Sequence, residues 1–131
     1  NAVRAGAPEG SPTKQVAQEV ADEASARAQL TPRVYIHIRK ESVREAAHNI
    51  GSELKGNGYV IPGIERLVNI GPDKTELRYF RQHEEATAKA IAEHLSALSV
   101  YVVVSYIPGY ETSRKIRENH FELWFGPNEP K

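Results

Sequence analysis

The chain has no cysteine and no methionine. Without cysteine there is no disulfide framework, no thiolate nucleophile and no cysteine-built zinc or iron–sulfur centre. A net charge of one sign is missing as well: 17 Lys plus Arg balance 17 Asp plus Glu, so no overall field draws the chain to nucleic acid or to an anionic membrane, and only a local patch can do so. No apolar run approaches the roughly 18 residues needed to span a bilayer, so no membrane insertion is expected. The first residues, from Asn1, lack the basic region and apolar stretch of an export signal. A start without methionine leads us to expect a processed product or a piece of a longer polypeptide.

What is present suffices for one domain with a sizeable core plus a tail, at 131 residues. The tail is residues 1–31. Gly6, Pro8, Gly10, Ser11 and Pro12 among small residues make a linker, because that composition buries too little surface to offset chain entropy. An alanine-rich stretch over 14–30, with Val16, Val20, Ala24 and Leu30 as a thin apolar stripe, is expected to be helical until Pro32 ends it. Residues 32–131 form the domain.

The domain opens on Val34, Ile36 and Ile38 alternating with Tyr35, His37 and Arg39, the period of a half-buried strand. Ser42 and Glu45 have the spacing of a capping box before a helix with Val43, Ala46, Ala47, Ile50 and Leu54 on one side, stopped by Asn57-Gly58. A short strand over 59–61 and a bend at Pro62-Gly63 follow, then a strand over 75–80. A second helix is expected over 83–98 from Ala88, Ile91, Leu95 and Leu98, opened by Glu84 and Glu85, which complement its dipole. The β-branched run Tyr101 to Ile107 reads as a central or near-central strand, and Phe121 to Phe125 as the last.

One phrase occurs twice. Ile61-Pro62-Gly63-Ile64-Glu65 with Glu76-Leu77 returns as Ile107-Pro108-Gly109-Tyr110-Glu111 with Glu122-Leu123, Pro62 and Pro108 lying as far apart as Glu76 and Glu122. That spacing predicts an internal duplication of helix, strand, turn and strand. The order β-α-β-β-α-β-β satisfies an α+β fold, a ferredoxin-like split β-α-β sandwich with an additional C-terminal strand and both helices on one face of a mainly antiparallel sheet. The expected strand order is 4-1-3-2 with the fifth strand outside the fourth; a doubly wound parallel sheet is the alternative.

In that arrangement the face away from the helices carries Tyr35, His37, Arg39, Arg78, Tyr101, His120, Glu122 and Trp124, an aromatic and charged platform suited to stacking on flat or sugar ligands. A solvated sheet face is the plainer reading of the same pattern. His120 and Glu122 lie two apart on one strand but lack a metal-ligand grammar, and no residue is assigned to a metal, to catalysis or to a cofactor. Arg114, Lys115 and Arg117 gather three cations within four residues, a loop able to hold a phosphate, a carboxylate or an acidic partner. Glu65 and Glu111, each after a Pro-Gly step, are expected to accept hydrogen bonds from turn amides.

Gly56-Asn57-Gly58 follows a helix, whereas a nucleotide-binding glycine loop opens one. The strand over 75–80 lacks the basic-glycine-aromatic pattern of RNA-recognition domains, and Arg39-Lys40-Glu41-Ser42 stands where small acyl-phosphate hydrolases carry a glycine-rich phosphate loop. Residues 33–107, with a capped helix after the first strand, the Asn57-Gly58-Tyr59 return and Glu76-Leu77-Arg78-Tyr79-Phe80, resemble the C-terminal domain of LytR-type cell-envelope proteins. More distantly they resemble sporulation-related repeats. The resemblance implies a bacterial accessory domain in the cell envelope or periplasm that binds glycan. The expected function is therefore a noncatalytic module of a larger bacterial protein, binding a protein or glycan partner through the open sheet face or the Arg114–Arg117 loop. The alternatives are a protein-interaction domain, a homodimer through the edge strand, here expected to be the fifth, and a small hydrolase.

Overall fold

The alternation of Val34, Ile36 and Ile38 with polar residues produces β1 (Arg33–Ile38), its three aliphatic side chains wholly buried. The computed structural model describes residues 30–131, and the linker and helix expected in the tail lie outside the described residues. A 3-10 turn at Glu41–Val43 leads into α1 (Arg44–Gly56), which buries Ala47, Gly51 and Leu54 at helical spacing. The expected capping box does not form. Val43 occupies the N-cap, no side chain caps the helix, and Arg44 pairs with Glu41 at 2.5 Å instead. The 3-10 turn carries the helix start past Ser42, so its hydroxyl no longer faces the first free amides.

After Gly58, at φ +97, the chain returns alongside β1 as β2 (Ile64–Arg66), parallel to it with Ile64 opposite Ile36. The strand expected over 59–61 is reduced to a bridge from Val60 to Arg33. Pro62-Gly63 does not reverse the chain: from that bridge to the Ile36–Ile64 pair, β1 advances three residues and its partner four, so the Pro-Gly step absorbs one residue as a bulge.

A second β-α-β unit has matching dimensions. It comprises β3 (Glu76–Tyr79), a 3-10 turn at Gln82–Glu84, α2 (Glu85–Ala97) and β4 (Val103–Tyr106), with β4 parallel beside β3. Both helices have 13 residues, and Ala88, Ile91 and Leu95 are the buried positions of α2. The last strand, β5 (His120–Trp124), then enters between the units, parallel to β1 and antiparallel to β3. The sheet order is β2-β1-β5-β3-β4. Side chains from β1, β3, β5 and both helices meet in one core, so both helices cover the same face.

Among the described residues the α+β class, the five strands and the two helices agree with the sequence; the strand arrangement differs. The sheet is mixed, and its one antiparallel pairing is β3 with β5. Neither β2 and β3 nor β4 and β5 are neighbours, so the two equal-length connections are not hairpins. The strands that carry the twice-used phrase are not equivalent either: they lie side by side, Leu77 opposite Leu123. The valine-rich run is an edge strand, with Val102, Val104 and Tyr106 against the core and Val103 half exposed. The centre belongs to β5, whose Phe121 and Leu123, with Phe125 just beyond, are buried almost completely.

Candidate functional site

The alternation that sends Phe121, Leu123 and Phe125 into the core sends His120, Glu122 and Trp124 to the opposite face, between Tyr35 and His37 of β1 and Glu76 and Arg78 of β3. The register makes His37 the neighbour of Trp124 and Tyr35 the neighbour of Glu122. The two rings of the first pair stack with centroids 4.1 Å apart and an interplanar angle of 23°. On the other side the Arg78 guanidinium carbon lies 4.5 Å from the centroid of the indole, while its Nε donates to Glu76 at 2.5 Å. Both faces of Trp124 are thus occupied. Its single donor is engaged too: Nε1 donates to Oε1 of Glu122 at 2.9 Å, and Nε2 of His120 shares a 2.8 Å hydrogen bond with Oε2.

The indole is therefore held by its neighbours behind His37 rather than left as a bare stacking plate. Tyr35 leans against His120 at 4.7 Å between centroids. A shallow, open cleft of about 200 Å³ lies beside Tyr35 and His37, bordered by Pro62, Gly63 and Glu65. Oε1 of Glu65 lies 3.6 Å from Nδ1 of His37, beyond hydrogen-bond reach, and neither ring nitrogen of His37 has a hydrogen-bond partner. Glu65 and Glu111 have different roles: Glu111 accepts the Gln82 amide and the Tyr106 hydroxyl, while Glu65 faces the histidine.

Burial holds the His37 pKa below its ordinary 6.5, against the pull of Glu122 and Glu65. Burial is also the largest influence on Glu122 and opposes its ionisation, but hydrogen bonds from His120 and Trp124, with the charges of His120 and His37, outweigh it and keep the carboxyl below 4.5. Both shifts act on stability in the same direction. As pH falls past 6.5 the unfolded chain protonates its histidine before the folded chain protonates His37, and below 4.5 the same holds for Glu122. Stability is therefore expected to decline in two stages on acidification, read by urea unfolding across that range. His37→Gln removes the upper stage and Glu122→Gln reduces the lower, to which Glu111 and Glu41, also held low by hydrogen bonds, contribute; an upper stage that persists in His37→Gln would contradict the assignment.

Loops roof both ends of this face. Arg39 donates from Nη2 to the Pro72 carbonyl at 2.5 Å, and Gly71 lies so close above it that an added Cβ would stand 2.9 Å from its Nε and 3.2 Å from Trp124. Arg39 is therefore a loop anchor. At the other end Phe80 is buried between Tyr110 and His120. Tyr101 is not brought to the site: it precedes the edge strand β4, 72% exposed, with β3 and β5 between it and His37.

The basic loop has a different construction from the one its composition suggests. Arg81, 5% exposed, donates to the carbonyl oxygens of Glu111, Ser113, Ile116 and Arg117 at 2.9–3.1 Å. Arg114 and Lys115 project from that pinned loop into solvent. Arg117 does not join them: its Nη1 and Nη2 donate to the carbonyls of Glu118 and Thr31. Arg81 and Glu76 are absent from the residues expected at the site, and Glu65, expected to accept from turn amides, faces His37 instead. The Glu76–Arg78 spacing on one strand was a usable signal; nothing in the sequence marks Arg81 as the centre of four carbonyls. No family model, no curated protein and no solved structure matches the chain.

Proposed function

We propose that this domain is a noncatalytic accessory module of a larger bacterial protein that binds a hydroxyl-rich ligand of the cell-envelope glycan type at the Tyr35–His37 end of its polar sheet face. The observation that carries the proposal is His37: a largely buried imidazole with no hydrogen-bond partner at either nitrogen, lining a cleft that also offers an aromatic ring and the exposed carboxylate of Glu65, so that a ligand reaches Nδ1 by displacing that carboxylate 3.6 Å away. An orphaned buried polar group is costly unless something completes it, and a sugar supplies donors and acceptors together with an apolar face for Tyr35. Glu122 is unsuited to catalysis, since both its oxygens are engaged and its lowered pKa makes it a weak base. Arg114 and Lys115 offer a second contact to an acidic group on the same partner. The pattern likeness to LytR-type domains favours the same ligand class.

The test is retention on isolated, muropeptide-rich cell-wall glycan. Tyr35→Ala is expected to lose about tenfold or more in affinity, the scale of one central aromatic contact. Arg114→Ala is expected to lose less, and to lose it most at low salt. Equal retention by Tyr35→Ala and the parent sinks the proposal.

A second reading rests on the edge strand β4. Its outward backbone groups have no strand partner among the described residues, and Tyr101 and Val103 beside them are 72% and 50% exposed. Pairing through β4, with a second copy or another protein, is the interaction-domain alternative. A mass that rises with concentration in the parent and not in Val103→Lys supports it; a constant monomer mass removes the homodimer.

A further inference from the structure

We propose that His83, Glu84 and Glu118 form a divalent-cation site, with Zn²⁺ the best-fitting ion, which fastens the basic loop to the start of α2. The proposal is independent of the glycan reading. His83 and Glu84 come from the 3-10 turn ahead of α2, and Glu118 from the end of the loop that leads into β5. Nε2 of His83 stands 3.7 Å from Oε2 of Glu84 and 3.7 Å from Oε1 of Glu118, and the three ligand atoms lie within 4.8 Å of one another. Ligand atoms bound tetrahedrally to zinc at about 2.0–2.2 Å sit roughly 3.3–3.6 Å apart, so a small movement of the exposed imidazole closes the set.

The second observation is Glu84 itself. Its side chain is 3% exposed, yet Oε1 has no hydrogen-bond partner, while Oε2 accepts the amide of Asn119 at 2.7 Å. At the N-cap of α2 a carboxylate would ordinarily accept the helix's own amides; this one makes no cap bond and turns toward the loop. Arg117 is near enough for Glu84 to favour its charged form, but its Nη groups donate to the carbonyls of Glu118 and Thr31 and leave the carboxylate open. The oxygen nearest His83 is Oε2, whose single amide bond from Asn119 leaves a lone pair for a cation, and the unpartnered Oε1 leaves this buried anion short of positive charge; with a second carboxylate and a solvent-reachable imidazole it is a donor set for a cation. One nitrogen and two carboxylates suit Zn²⁺ better than Mg²⁺ or Ca²⁺, which favour all-oxygen shells, and the 64% exposure of His83 leaves room for water to complete the coordination.

The full chain titrated with ZnCl₂ by calorimetry is expected to show one site, and CoCl₂ a visible absorption band of nitrogen–oxygen ligation. His83→Ala and Glu118→Gln, both on accessible side chains and checked for folding by circular dichroism, are expected to weaken binding by about tenfold or more. His48→Ala, on the exposed side of α1, is expected to bind as the parent does. Absence of binding, or binding that both His83→Ala and Glu118→Gln retain at parental strength, overturns the proposal. A parental site lost equally in His48→Ala does so as well, because the ion would then lie elsewhere.

Discussion

Arg81→Ala is expected to release the loop over 107–119 while leaving the sheet in place. Trypsin, which cuts after Arg114, Lys115 and Arg117, should then cleave there at least about ten times faster than in the parent, since local opening governs cleavage of pinned loops. The magnitude follows from what the guanidinium holds. It donates to four carbonyl oxygens at 2.9–3.1 Å while nearly buried, and hydrogen bonds to a charged donor contribute about 1.5–3 kcal/mol each before the freed carbonyls find water. Rehydration recovers part of this, so a net loss of about 3 kcal/mol is expected, measured by urea unfolding. Arg81→Lys should recover little, because a single ammonium cannot span a fork of four acceptors. Parental cleavage rates in Arg81→Ala would show that the loop is held by other contacts.

A chain ended after Asn119 is expected not to fold at all. Removing β5 leaves β1 and β3 with no strand between them and opens the core at Phe121, Leu123 and Phe125, each at most 1% exposed. Point substitutions grade the same effect. Phe121→Ala, opposite Val34 on one side and Tyr79 on the other, should cost about 3–5 kcal/mol, the usual range for a buried phenylalanine. Val103→Ala on the edge strand should cost about 1 kcal/mol or less, because half of that side chain already faces water. A dispersed amide spectrum from the shortened chain would return β5 to the periphery and overturn the sheet order.

Sequence patterns reported what is local. The β1 alternation, both helices and their buried stripes were legible because periods of two and of about 3.6 are written in neighbouring residues. Pairing was not, because strand neighbours are chosen by total burial. Tyr101 to Ile107 looks central by composition, yet only alternate residues of it reach the core; β5 has a mixed composition, but its charged half closes on itself through His120, Glu122 and Trp124. That internal satisfaction makes a central position tolerable for a strand bearing a carboxylate, and no spacing rule expresses it. The same holds for the site. Tyr35, His37, Arg78, His120, Glu122 and Trp124 were expected on one face and share it, since parity alone decides that. Their partners were out of reach: the two sides of the indole, the anchoring of Arg39 and the folding back of Arg117 depend on which strands and loops became neighbours.

The central strand also sets a timetable. A ribosome delivers both β-α-β units before it delivers β5, so each unit can form early while its inner edge, β1 in one and β3 in the other, stays bare. Neither edge can be satisfied by the other unit's strand in the native register, since β5 must come between them. Nascent chains would therefore carry two unpaired strand edges and an open apolar floor until residues 120–125 clear the exit tunnel, an interval in which a chaperone or a second nascent chain competes for the place that β5 will take.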